Sequence, residues 1–191
     1  MGYPLPVTLR ADSARVRAQT LAAARARIAA GDLELPMNAI AKEAGVGVGT
    51  VYRHFPSRRS LLEGLATESF TELVAEARAA AENPDIATGL ANLLRAALRR
   101  QLTDASLAAV LSEPGFECVD TQNLSRELGA ASLRVLDRAR EAGVVRPDVT
   151  PDDFRRLTCG IQHAARSGGD PEAAADRYLD IVLTGLRPEK N

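Results

Sequence analysis

A chain of 191 residues that is 46% hydrophobic but only 4% aromatic, with no Trp, can bury a core without staples and must draw it mainly from Ala, Leu and Val, which favours helices over strands. Two distant cysteines, Cys118 and Cys159, argue against a zinc site or disulfide framework and fit a reducing cytosol. The net charge of -1 conceals a formal +5 over residues 1–60 and -6 over 61–191, so only the first third suits a polyanion, unless the asymmetry is a chance fluctuation. No apolar run approaches the roughly 18 residues of a membrane span. Met1 to Leu9 lacks the charged start and apolar stretch of a secretory signal, so a cytoplasmic protein is expected.

Punctuation along the chain predicts about nine helices and no strand. The first runs from Asp12 to Ala30, with Leu21, Ala24 and Ile28 on one face and Gly31 as its stop. A short helix, Ala39 to Ala44 capped by Asn38, ends at Gly45. The third spans Val48 to His54. A long fourth, capped by Ser57, runs from Arg58 to about Ala81. After Asn83-Pro84, Asp85 caps a helix through Leu102, and a shorter one covers Ser106 to Ser112. Thr121 to Ala142 is stopped by Gly143. Thr150-Pro151-Asp152-Asp153 and Asp170-Pro171-Glu172 each combine a cap, an early proline and acids at the positive helix end. The reading is all-α: a three-helix N-terminal domain, residues 1–56, joined by the fourth helix to a C-terminal bundle within 57–191.

The segment from Ile40 to Phe55 carries the functional signal. A short helix stops at Gly45, Val46 plugs the turn, and a second helix buries Val51 and Phe55, four residues apart. Thr50, Arg53 and His54 then project elsewhere as a polar surface. This is the construction of a helix-turn-helix whose second helix is offered to the major groove. The run Ala44-Gly45-Val46-Gly47-Val48-Gly49-Thr50-Val51-Tyr52-Arg53-His54-Phe55, continued by Pro56 to Leu62, resembles the TetR family of transcriptional regulators over about residues 10 to 62.

That resemblance implies that Thr50, Tyr52 and His54 contact phosphates, while Val48, Gly49 and Arg53 face base edges. Arg53 would take a guanine bidentately and Val48 a thymine methyl. Arg58, with Arg10 or Arg15, would add backbone charge. Gly47 stands where many members carry a capping Ser, and Arg27 or Ile28 replaces a usual aromatic. Blander readings stand beside these: Tyr52 as a core aromatic, His54 as a helix C-cap donor, and Arg53 as a solvated residue that reads no base.

For the second domain the resemblance implies effector binding and dimerisation. The residues themselves offer two stripes, Phe154, Leu157, Ile161 and Ala164, then Tyr178, Val182, Gly185 and Leu186, suited to a homodimer through the last two long helices. Phe116, Cys118, Cys159, Gln162 and His163 are candidate ligand contacts for an unknown small molecule. Cys159 and His163 are one helical turn apart, but no orienting acid or oxyanion motif accompanies them, so no enzyme, metal site or cofactor is expected. The sequence thus supports a ligand-responsive regulator bound to a palindromic double-stranded operator, repression being implied by the family. The alternative is a helical ligand-binding or scaffold protein that keeps the turn as packing only.

Overall fold

A computed structural model describes residues 7–113 and 115–188, the side chains of 7–10 excepted, so that Pro114 and the Arg10 side chain lie outside the described residues. Nine helices and no strand occur among them: α1 (Val7–Ala29), α2 (Met37–Ala44), α3 (Val48–His54), α4 (Arg58–Glu82), α5 (Ile86–Thr103), α6 (Ala105–Ser112), α7 (Val119–Glu141), α8 (Pro151–Ala165) and α9 (Pro171–Gly185). Contacts divide the chain into two compact units, with the boundary between Leu65 and Ala66, inside α4. No described helix is long and apolar enough to cross a membrane.

Several helix starts differ from the expected ones, each for a local reason. Asp12 pairs with Arg15 at 3.1 Å inside α1, which begins earlier, at Val7. Pro36, with φ -65°, occupies the cap position of α2, leaving Asn38 in the first turn. Asp104 accepts from the amides of Ser106 and Leu107, which starts α6 one residue early. Cys118 stands at the cap position of α7, and its side chain does not cap the amides of that helix. The caps at Asp85, Thr150 and Asp170 each accept amides of the following turn, and Thr150 with Asp153 closes a reciprocal capping box. Ser57 and Ser60 exchange bonds in the same way at the start of α4, the Ser60 amide donating to Ser57 Oγ at 3.0 Å and the Ser57 amide to Ser60 Oγ at 3.1 Å.

In the first unit, α1, α2 and α3 pack on one another around Ala24, Leu35, Ile40, Ala41, Val51 and Phe55, all buried. In the second, α5 is the hub, touching α6, α7, α8 and α9. Its Leu90, Leu93, Leu94 and Leu98 meet a core that includes Leu107, Val110, Val135, Leu136 and Leu179. The low aromatic content leaves this core aliphatic, as the composition requires.

Candidate nucleic-acid interface and effector cavity

The turn between α2 and α3 is a Schellman closure. Gly45 adopts φ +66° and ψ 30°, a left-handed conformation that costs glycine little. Its amide donates to the Lys42 carbonyl at 3.2 Å, and the Val46 amide to the Ala41 carbonyl at 3.0 Å, so the last carbonyls of α2 are satisfied. Gly47 then enters α3 with ordinary φ and ψ of -68° and 138°, its carbonyl accepting from Thr50 and Val51. No side-chain cap is present at this end.

Helical spacing sorts the side chains of α3 around its axis. Val51 and Phe55 are buried, four residues apart, and anchor the inner face. At about 3.6 residues per turn, Gly49 and Arg53 lie opposite them, at the middle of the solvent face. Tyr52 flanks this centre on one side, Thr50 and His54 on the other. Gly49 and Arg53 are exposed, Thr50 and His54 half-buried. Tyr52 is 45% and Val48 39% exposed, so Tyr52 is not a core aromatic. Among the described residues, the side chains of Thr50, Tyr52, Arg53 and His54 form no hydrogen bond or ion pair, leaving hydroxyl, guanidinium and imidazole groups free for an external partner. A Cβ added at Gly49 would meet nothing within 4 Å. Packing therefore does not require a glycine there.

Two arginines hold this face in place. Arg27, near the end of α1, bridges Asp32 in the following loop and Glu43 on α2. The Arg27 guanidinium, first of all by hydrogen bonding, holds the Asp32 carboxyl below its ordinary range. Asp32 in turn accepts from the amides of Glu34 and Leu35 at 3.0 and 3.4 Å. Arg58 closes the loop from the other side, donating to the carbonyls of Glu34 at 3.0 Å and Leu33 at 2.6 Å. Leu35, buried at φ +50°, is thereby held in a conformation that non-glycine residues seldom adopt. Arg58 is thus engaged with the loop through two of its nitrogens. Arg15 is exposed and paired with Asp12.

The second unit contains a partly open cavity of about 420 Å³ lined from α4, α5, α6, α7, α8 and the segment before α7. Phe70, Leu93, Leu94, Leu128 and Phe154 give it apolar walls, and the Phe116 ring, tilted 56° to that of Phe70 at 6.1 Å, completes them. Gln101, Ser125, Ser132 and Thr158 are the uncharged polar residues of the lining. Of the five residues expected to contact a ligand, only Phe116 lies in this lining; Cys118, Cys159, Gln162 and His163 do not. Cys159 directs its thiol to the Leu111 carbonyl at 3.7 Å, and burial pushes its pKa up. His163 is exposed and forms no hydrogen bond with that thiol.

Comparison with known proteins places both units. Residues 21–65 match the family described as bacterial regulatory proteins, tetR family, and residues 83–188 match the C-terminal domain described as transcriptional regulator SbtR-like. A TetR transcriptional regulator from Streptomyces coelicolor is 32% identical, over 91% of this chain and 99% of its own, with a TM-score of 0.55. The chain belongs to the TetR family of DNA-binding transcriptional regulators. A TetR regulatory protein from Mycobacterium vanbaalenii is 31% identical, covering 94% of this chain and 99% of its own with a TM-score of 0.50. The ketosteroid transcriptional regulator KstR2 of Mycobacterium tuberculosis shares the fold at 24% identity, with 91% and 95% of the two chains covered and a TM-score of 0.62. No curated protein matches.

In this TetR-family chain the two apolar stripes of α8 and α9 are partly spent inside the unit. Phe154, Ile161 and Leu186 are buried at 5, 7 and 6% exposure, whereas Gly160, Ala164, Ile181 and Gly185 are exposed. Among the cavity residues that the sequence did not single out is Gln101. Its signal was present: Leu90, Leu94 and Ala97 mark the inner face of α5, and Gln101 continues that stripe as a polar residue at a core position.

Proposed function

We propose that this protein is a cytoplasmic, sequence-specific transcriptional repressor that binds a palindromic operator as a homodimer and is released by a small molecule. The observation that carries the reading is the free solvent face of α3. Gly49 and Arg53, at its centre, are suited to base edges, and Val48, part-exposed in the first turn on the side of Tyr52, to an apolar base edge. Tyr52, Thr50 and His54, along the flanks, are suited to phosphates. The glycine lets the helix backbone approach the groove floor closely. Arg58 serves first as a positioning residue for the loop before α2 and offers its remaining donors to the DNA backbone. The N-terminal unit is the DNA-binding domain, and the C-terminal unit holds the effector cavity and the dimer surface on α8 and α9.

Two copies must present their α3 helices about 34–36 Å apart to enter successive major grooves. An effector that favours another separation weakens operator binding by population shift. The deciding experiment is a salt titration of binding to a palindromic duplex from the DNA flanking the gene, with the wild type and Gly49→Leu. A steep salt dependence and sequence preference are expected of the wild type. Gly49→Leu should keep or raise thermal stability, because leucine is a better helix former by about 0.5–1 kcal/mol and space is open around it, yet lose operator binding. A shallow salt slope without sequence preference overturns the reading in favour of a helical ligand-binding protein.

A further inference from the structure

Gln101 is 1% exposed and lines the cavity, yet neither its Oε1 nor its Nε2 has a hydrogen-bond partner among the described residues. A buried carboxamide left in that state costs free energy on both its donor and its acceptor side. Its position is fixed: Arg166 donates to the backbone carbonyls of Gln101 and Leu102 at 3.2 and 2.9 Å, closing the end of α5. The Ser125 and Ser132 hydroxyls, seven residues apart on one face of α7, line the same cavity and likewise have no hydrogen-bond partner among the described residues.

The charges of the lining decide which head group fits. Arg155 is the cation among the lining residues, and it is committed to Asp152 at 2.8 Å and to the Leu111 carbonyl at 3.0 Å. The acids Glu113 and Asp152 complete the ionisable set. An anionic head would therefore lose its hydration without gaining a free cation, and burying it would be costly. A carboxamide side chain offers a donor and an acceptor side by side, and its complement is a neutral group with the same pair reversed. From this cavity we infer that the effector is a compact, uncharged, largely apolar molecule bearing an amide-like head that pairs with the Gln101 side chain. The inference rests on the reading of this cavity as the effector site.

Calorimetric titration of the full chain with cinnamamide, cinnamate and propenylbenzene tests it, since the three share a body and differ in the head. The wild type should bind cinnamamide about tenfold or more tighter than either other probe, the margin of one or two net hydrogen bonds. Gln101→Met should erase the margin over propenylbenzene and raise Tm, because it removes two orphaned polar atoms. Gln101→Asn, which withdraws the amide by one methylene, should also lose the margin, so the test survives if either variant folds poorly. Equal binding of the three probes, a preference for cinnamate, or no binding at all overturns the inference. So does a raised Tm with unchanged preference in Gln101→Met, which would make Gln101 a holder of buried water. Operator binding by the unliganded protein is measured separately, so failure here is distinguishable from failure of the regulator reading.

Discussion

Phe55 occupies the space that a side chain at Gly64 would need: a Cβ built there would lie 2.8 Å from Phe55 Cε1. The same ring carries the Arg17 guanidinium on its face, with Cζ 4.7 Å from the centroid. The residue that closes α3 is thus wedged between α1 and the opening turns of α4, within the N-terminal unit. Gly64→Ala should destabilise that unit by about 1–3 kcal/mol through overpacking, despite alanine's better helix propensity. Thermal unfolding checks this, and Phe55→Leu in the same chain should recover part of the loss.

Arg53 and Tyr52 occupy different parts of the α3 surface and should fail differently. Arg53→Ala is expected to cost about 1–3 kcal/mol at one base position and to relax preference there. Tyr52→Phe removes a hydroxyl and should weaken all duplexes alike, by about 0.5–1.5 kcal/mol. Both residues are exposed, so Tm should stay nearly constant. Competition binding against a panel of single-base operator variants separates the two outcomes. Identical profiles for both would remove the assignment of roles.

The pairing of Arg27 with Asp32 and Glu43 predicts how acid acts on the N-terminal unit. Asp32 has its folded pKa depressed, chiefly by the Arg27 hydrogen bond, so its contribution to stability is complete above the unfolded carboxylate range. It is lost as pH falls through the depressed value. Arg27→Met should lower Tm at neutral pH, and the gap to the wild type should close as both are acidified below that range. A gap independent of pH would mean that Arg27 acts through packing of its stem alone.

Much of this was legible in the sequence because short-range chemistry decides it. Gly45 could be read as a helix stop since a left-handed residue is cheapest there, and it adopts φ +66°. Thr150-Pro151 and Asp170-Pro171 announced two helices whose caps form as expected. The cavity was harder to read, since its walls come from helices far apart in the chain and cysteine and histidine draw attention by chemical type. Cys159 and His163 were plausible ligand contacts by type, whereas Gln101 mattered by position. The place of Arg58 at the start of α4 is local and legible, whereas its bonds to Glu34 and Leu33 depend on a loop 24 and 25 residues away.

Ile181 is 60% exposed on α9, beside the exposed Gly185 and the half-buried Val182. If this face joins two copies, Ile181→Glu places a charge where the two-fold axis brings equivalent surfaces together. Self-association should weaken about tenfold or more, since a desolvated charge costs several kcal/mol. Sedimentation equilibrium reads this directly, and affinity for a full palindrome should fall toward that for a half-site. An unchanged dimer would place the interface elsewhere.

The uncapped start of α3 bears on timing as well as shape. With Gly47 in place of a hydroxyl-bearing residue, the first amides of this seven-residue helix have no side-chain acceptor. Short helices lean on such contacts, so its leading turn should unravel and re-form more readily than the core beneath it. Amide hydrogens at Val48 and Gly49 should exchange with solvent faster than that of Val51, and gain protection when the groove closes over them. If α3 docks in the groove, part of the binding free energy goes into ordering this turn, a cost shared by matched and mismatched duplexes that lowers affinity for both.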